Sequence, residues 1–182
     1  MIKETYDINS KFDTLTLRIM RNEDSQRIFD IWSHPDNAKY MDAPKNIEEV
    51  RETADWELGH LLSKKGYHYY FRVVTLKNTD EIVGTICISI KDGQLESVYN
   101  IAKEHWNKGI ASALLEFSIE LAKEQNLNAI VGYSDKTNTA SCHVLEKYLP
   151  FVCEEEYVES DGRAVIDRKY ELILNAPPIR KI

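Results

Sequence analysis

Between Ala102 and Gly109 the hydrophobic period of this sequence switches from that of strands to that of a helix, and this switch restricts the architectures open to it. From Tyr67 to Leu76 and again from Glu81 to Ile90 the chain is β-rich, with the turn Lys77-Asn78-Thr79-Asp80 between the two stretches. A third stretch, Leu95 to Ala102, follows the turn Asp92-Gly93. Then Gly109 to Glu124 sets Ile110, Leu114, Phe117 and Leu121 against Glu116, Glu120 and Lys123, the spacing of an amphipathic helix. Three strands joined by short turns form an antiparallel meander, and the apolar stripe of the helix has to be buried on it.

The flanking segments extend this centre. Leu15 to Met20 reads as a first strand, with Leu15, Leu17 and Ile19 alternating with Thr16, Arg18 and Met20. Asn22 is placed to cap a helix whose apolar side is Ile28, Phe29, Ile31 and Trp32. Asn46 caps a second helix, Glu49 completes a capping box, and Ile47, Val50, Ala54, Leu58 and Leu61 form its stripe. Downstream, Asn128 to Tyr133 is a short strand and Asn138 to Tyr148 a helix. Phe151 to Val158 and Ala164 to Leu174 make a hairpin around Asp161-Gly162. The predicted order is βααβββαβαββ, an α/β (α+β) fold with a mixed, mostly antiparallel sheet and helices on both sides. With 182 residues and no Pro/Gly linker, residues 1–182 read as a single domain. Its ordered core runs from about 12 to 175, before the tail Ala176-Pro177-Pro178.

Composition excludes several functions. A formal charge of −7 disfavours nucleic acid as a partner and mildly favours a cationic one. The apolar run Ile82 to Ile90 is about half what a bilayer-spanning helix needs, so no membrane partner is expected. The start, MIKETYDINS, lacks the basic flank and apolar stretch of a secretory signal, and a cytoplasmic location is the expectation. Cys87, Cys142 and Cys153 are an odd set without C-x-x-C spacing, which reads as reduced thiols with no zinc or other metal site. An exposed strand edge leaves both a monomer and a homodimer open.

Chemistry concentrates in YNIAKEHWNKGIASALLEF, Tyr99 to Phe117. A strand ends at Ala102, a short loop follows, and a long helix starts near Gly109. The first amides of a helix lack intrahelical partners and sit at the positive end of its dipole, so small residues there permit a pyrophosphate to approach. Gly109 and Ala111 are such residues. The chain lacks both G-x-G-x-x-G and G-x-x-x-x-G-K-[ST], which removes the common dinucleotide and nucleoside-triphosphate alternatives.

Trp106-Asn107-Lys108-Gly109-Ile110-Ala111 resembles the acetyl-coenzyme A signature of the GCN5-related N-acetyltransferase (GNAT) superfamily, Gln/Arg-x-x-Gly-x-Gly/Ala. Its tryptophan is similar to the W-G-K-G-x-A form found in the branch of the ribosomal-protein N-terminal acetyltransferases, the RimJ/RimL type. NTASCHVLEKYLPF, Asn138 to Phe151, resembles the N-x-x-S-x-x-x-L-E-K-x-G-F helix of the same branch. The likeness of pattern reaches back to Leu15 and so covers most of the chain.

The resemblance implies an enzyme that moves an acetyl group from acetyl-coenzyme A directly to a primary amine, either a protein N-terminal α-amine or a small-molecule amine. The alternative is a catalytically silent acetyl-coenzyme A-binding regulatory module of the same fold. By the same resemblance, main-chain groups of Asn100, Ile101 and Ala102 hold the pantetheine arm. The amides of Trp106, Asn107, Lys108, Gly109, Ile110 and Ala111 hold the pyrophosphate. Asn138 and Ser141 lie along the cofactor, and an amide near Ile101 receives the oxyanion. LESVYNIA resembles the family strand A-E-I-G-Y-x-x-A, which makes Glu96 the candidate base. Many relatives carry an acidic tyrosine where this chain has Leu145, leaving Ser141, Tyr148 or water to meet the departing thiolate. An acid is not indispensable, because a thiol near ~8.5 leaves tolerably at neutral pH. Tyr40, Met41 and Asp42, between Trp32 and Trp56, are candidates for one wall of the acceptor groove.

Overall fold

In the computed structural model, which describes residues 3–53, 67–158 and 162–174, the β-rich stretches join in one eight-stranded sheet. In chain order the strands are β1 (Tyr6–Asn9), β2 (Thr14–Arg18), β3 (Tyr67–Leu76), β4 (Ile82–Lys91), β5 (Gln94–Ile101), β6 (Ala129–Asp135), β7 (Phe151–Val158) and β8 (Ala164–Ile173). The helices are α1 (Ser25–Trp32), the single turn α2 (Pro35–Ala38), α3 (47–53), α4 (Ile110–Glu124) and α5 (Thr139–Glu146). Ala54, Trp56, Leu58, Leu61, Asp161 and the tail Ala176-Pro177-Pro178 lie outside the described residues. Among the described residues no helix is long and apolar enough to cross a membrane.

The strand order is β1-β2-β3-β4-β5-β6-β8-β7, antiparallel throughout except for β5 with β6. Mixed topology and the meander β3-β4-β5 therefore match the sequence reading. Three details differ. A strand precedes Leu15: Tyr6 pairs with Leu17 and Ile8 with Leu15, so the sheet starts before residue 12. Asn22 does not cap α1 with its side chain; its carbonyl accepts from Ser25 Oγ at 2.7 Å, and the turn is closed by Arg21 N donating to Asp24 Oδ2 at 2.7 Å. An extra turn, α2, follows α1, with Pro35 at its start and Asp36 N donating to His34 Nδ1 at 3.3 Å. Asn46 does cap α3, through Glu49 N at 3.0 Å, while the Glu49 carboxylate reaches Lys45 N rather than Asn46 N.

Alternation along the strands creates two cores. On one face α4 and α5 bury Leu114, Leu115, Leu121, Cys142 and Leu145 against Leu15, Leu17, Ile86, Leu95, Ile130 and Tyr170. On the other face α1 sets Ile28, Ile31 and Trp32 against Phe71 and Val73, and Trp32 Nε1 donates to Thr85 Oγ1 at 2.9 Å. A buried ion pair, Arg18 to Asp24 at 2.7 Å, ties β2 to the start of α1. Breaking such a pair leaves an uncompensated charge, so it fixes where α1 lies on the sheet.

Candidate active site

The site follows from a partial pairing. β5 meets β6 in parallel over Gln94, Leu95 and Glu96 alone, opposite Ala129, Ile130 and Val131. Beyond that register β5 continues to Ile101 and β6 to Asp135, so the two strands diverge and leave a wedge-shaped gap. The other edge of β5 stays fully paired with β4. Ala102 N donates to Val83 O at 2.8 Å, and backbone direction alternates along a strand, so Asn100 and Val98 also turn their main-chain groups to β4. Gly84 is opposed so closely that a Cβ there would lie 2.4 Å from Asn100 O. The groups turned to the gap are therefore those of Tyr99 and Ile101 and the Ser97 carbonyl, since the parallel pairing of Glu96 with Val131 places the Ser97 N–H on the Val131 carbonyl. This differs from the expectation for Asn100 and Ala102: Asn100 pairs with β4, and Ala102 donates to Val83 and accepts from His105 N at 2.9 Å. The Ile101 carbonyl is also taken, by Asn37 Nδ2 at 3.1 Å and Trp106 Nε1 at 2.9 Å, which leaves its amide facing the gap.

The loop from β5 to α4 brings a second set of donors to the same end. Asn107 and Gly109 both have left-handed backbone, at φ 61° and 75°, and Gly109 caps α4 with no side chain over the helix amides. Alternation of this kind turns successive N–H groups inward, as in anion-binding nests. Trp106 is an exception to the predicted set, because its amide donates to Lys103 O at 3.2 Å. Its ring instead buttresses the loop, with Lys103 Nζ 3.8 Å above it and Lys103 anchored to Asp36 at 2.8 Å. The Lys108 ammonium lies 3.3 Å from His105 Nδ1, and His105 Nε2 contacts Glu81 at 2.9 Å. Lys11, from the β1–β2 loop, packs on Gly109: a Cβ at Gly109 would meet the Lys11 Cβ at 3.1 Å.

A strand pair splayed beside a helix start lined with free amides suits a long, thin ligand carrying a pyrophosphate. Residues 14–148 match the acetyltransferase (GNAT) domain family. The chain belongs to the GNAT acetyltransferase family. It is 31% identical over 161 residues to the N-acetyltransferase p20 of Bacillus licheniformis, covering 84% of this chain and 89% of that one. In fold it is similar to Mycobacterium smegmatis RimJ in complex with a coenzyme A disulfide, with TM-score 0.77 and 16% identity over 93% of this chain and 86% of that one. It is also similar to RimL, a ribosomal L7/L12 α-N-protein acetyltransferase solved with coenzyme A, with TM-score 0.75 and 17% identity over 93% and 98% of the two chains.

In this GNAT domain the ionisable candidates fall on opposite sides of the gap. Glu96 projects to the α1 face with Val98 and Asn100, at the last residue where β5 and β6 still pair. It is half-buried and has no hydrogen-bond or ion-pair partner among the described residues, and burial raises its carboxyl above the ordinary value. Ser141 and Asn138 come from α5, on the other face. Asn138 acts as a helix cap, its Oδ1 accepting from Ser141 N at 3.2 Å. Tyr148 is turned away: its hydroxyl donates to Glu116 Oε1 on α4 at 2.6 Å, a bond that raises its pKa. Its proton is thus engaged by Glu116, which does not suit the expected role of acid toward the thiolate. Leu145, where many relatives have tyrosine, is 3% exposed and packs on Gly132 beneath β6. Tyr40 lies at the mouth of the gap, donating to Thr137 O at 3.3 Å, while its neighbour Asn37 holds Ile101.

One neighbour of Ser141 was absent from the sequence-derived site. Tyr99 stands within the quoted motif, and alternation along β5 sends its side chain to the α4/α5 face, under α5. Its hydroxyl is buried, lies beside Ser141, and makes no hydrogen bond of ordinary geometry among the described residues.

Proposed function

We propose that the chain moves the acetyl group of acetyl-coenzyme A to a primary amine, and that the amine is a protein N-terminal α-amine. The observation that carries this reading is the divergence of β5 from β6 after Glu96, beside the free amides at the start of α4. Asn107, Lys108, Gly109, Ile110 and Ala111 would hold the pyrophosphate through main-chain N–H groups, and Ser97, Tyr99 and Ile101 would pair with the pantetheine arm. Bound there, acetyl-coenzyme A supplies a thioester carbonyl open to a neutral amine. Glu96 accepts the proton that the amine loses, the Ile101 amide donates to the developing oxyanion, and Ser141 faces the sulfur from the opposite side of the sheet.

The environment of Glu96 supports an α-amine. An α-amine with pKa near ~7.8 is about a tenth neutral at pH 7, whereas a lysine-like amine near ~10.4 is neutral in only ~0.04% of molecules, a difference of roughly 3.5 kcal/mol. A single carboxylate, even one raised by burial, suits the smaller task. The likeness in fold to RimL, named an α-N-protein acetyltransferase, supports the same class.

The test is thiol release from acetyl-coenzyme A with three acceptors: a peptide with a free N-terminus, the same peptide N-blocked but carrying lysine, and a set of small amines. Turnover with the first and not the second is the expected result. Preference for a small amine overturns the acceptor assignment. No thiol release with any acceptor, alongside tight coenzyme A binding, favours the silent module instead.

A further inference from the structure

We propose that Asn37 is a positioning residue for the transfer step: its side-chain amide holds the Ile101 carbonyl and thereby aims the Ile101 N–H at the oxyanion. This rests on the reading that the Ile101 amide receives that charge. The geometry begins with an open edge. Ile101 ends β5 opposite Gly84, and its main-chain groups turn to the side from which β6 has already diverged. A carbonyl there has no strand to bond, and a buried main-chain group calls for another partner. Two donors take the place of the missing strand. Asn37 Nδ2 donates to Ile101 O at 3.1 Å, and Trp106 Nε1 donates to the same oxygen at 2.9 Å. Asn37 Nδ2 also donates to Ile31 O at 2.9 Å, so one half-buried amide group ties the end of α1 to the end of β5.

The two donors are themselves linked. Asp36, beside Asn37, takes the Lys103 ammonium at 2.8 Å, and that ammonium lies 3.8 Å over the Trp106 ring. The peptide unit from Ile101 to Ala102 is then fixed at both ends, its carbonyl by Asn37 and Trp106 and its N–H by Val83 O at 2.8 Å. The unit before it is fixed through Asn100 O, packed so closely on β4 that a Cβ at Gly84 would lie 2.4 Å away. With the units on both sides of its α-carbon held, the Ile101 N–H has one direction, into the gap. In the balanced step the nitrogen lone pair of the amine bonds to the acyl carbon, and the C=O π pair moves to oxygen, which accepts the Ile101 N–H. That pair returns as the C–S bond breaks with its electrons on sulfur. The surplus proton of the amine goes to Glu96, and solvent protonates the thiolate. A donor aimed in advance needs no reorganisation as the charge develops, so its worth lies in its direction. Losing Asn37 therefore weakens the transition state more than it weakens the bound thioester.

The experiment compares wild type with Asn37→Ala, Asn37→Asp and His34→Ala, each well below its melting temperature. Asn37→Asp keeps the shape but sets a carboxylate oxygen against the two carbonyls; should it fail to fold, Asn37→Ala decides alone. His34→Ala loosens α2, where Asp36 N donates to His34 Nδ1 at 3.3 Å, and removes no donor from Ile101. The first readout is the infrared stretch of the isotope-labelled thioester carbonyl of bound acetyl-coenzyme A. The second is turnover, with kcat and the KM for acetyl-coenzyme A resolved. In wild type the stretch should lie below that of a thioester in apolar solvent. Asn37→Ala should lose part of this lowering and Asn37→Asp more of it, with kcat down about 10- to 100-fold and KM unchanged. His34→Ala should match wild type in both readouts. An unchanged stretch in the Asn37 variants, a loss confined to KM, or an equal loss in His34→Ala overturns the proposal and leaves the role of Ile101 standing. A wild-type stretch with no lowering overturns the proposal together with the reading of Ile101 as oxyanion donor, a separable result.

Discussion

Glu96 is held in a place that suits its ionised form badly, half-buried on the strand face without a cation to compensate it. Its folded pKa lies above the ordinary carboxylate value, so it favours folding fully at pH below that ordinary value, and this contribution fades as pH rises through the raised one. Glu96→Gln should accordingly melt no lower than wild type at neutral pH, and any gain should vanish in acid. Melts across the pH range check this; a variant less stable at neutral pH would mean that Glu96 has a structural partner. In turnover the same substitution should cost up to the ~10²-fold scale of general base catalysis, with the loss shrinking as pH rises towards the pKa of the acceptor. Profiles offset equally at every pH would assign Glu96 to substrate positioning. The strand motif names Glu96 as the candidate base, whereas its burial without a compensating cation is visible only in the folded chain. Which face of β5 a side chain takes, as with Tyr99 under α5, depends on which helices cover the sheet and is not legible from the strand alone.

Elements with a long, clean period were legible, and the two of four residues each, β1 and α2, were not. α4 and strands β3 to β5 fall within a residue or so of their predicted bounds, because each repeats its pattern several times. β1 has four residues and α2 a single turn, too few to show a period; both are held by neighbours, β1 by pairing with β2 and α2 by Asn37 and His34. The predicted amide donors were partly misassigned for a related reason: a strand's two edges look identical in sequence, and only the register shows that Asn100 and Ala102 face β4. Two substitutions test the elements. Gly109→Val places a β-branched residue at φ 75° with Lys11 3.1 Å from the new Cβ, and should weaken coenzyme A binding by about 1 to 2 kcal/mol in calorimetry. Unchanged affinity would put the pyrophosphate elsewhere. Leu145→Tyr restores the residue that many relatives carry, yet position 145 is core here. Overpacking should cost about 1 to 3 kcal/mol of stability without raising kcat, as thermal melts and turnover would reveal.

At the scale of the whole molecule the sheet consists of two parts, β1 to β5 and β6 to β8, joined by three residue pairs at one end. At the other end the strap from Asn37 to Tyr40 reaches from Ile101 to Thr137 across the opening. The molecule is thus built like a hinged clasp, and whatever lies in the gap serves as a ninth strand as well as a reactant. Coenzyme A at a hundredfold excess over its Kd should add about 2.7 kcal/mol to the free energy of unfolding. The gain should be local in origin: hydrogen exchange should slow most at the Tyr99 and Ile101 amides, which pair with no strand among the described residues, and least along β1. If protection rises evenly over the sheet, the ligand does not bridge the two parts. On the proposed contacts, donor and product share the pantetheine and pyrophosphate partners, so discharging the acetyl group should leave the clasp closed. Opening the sheet to release the spent thiol should then be slow, and a coenzyme A dissociation rate that matches kcat would show that it sets the pace at which one acceptor follows another.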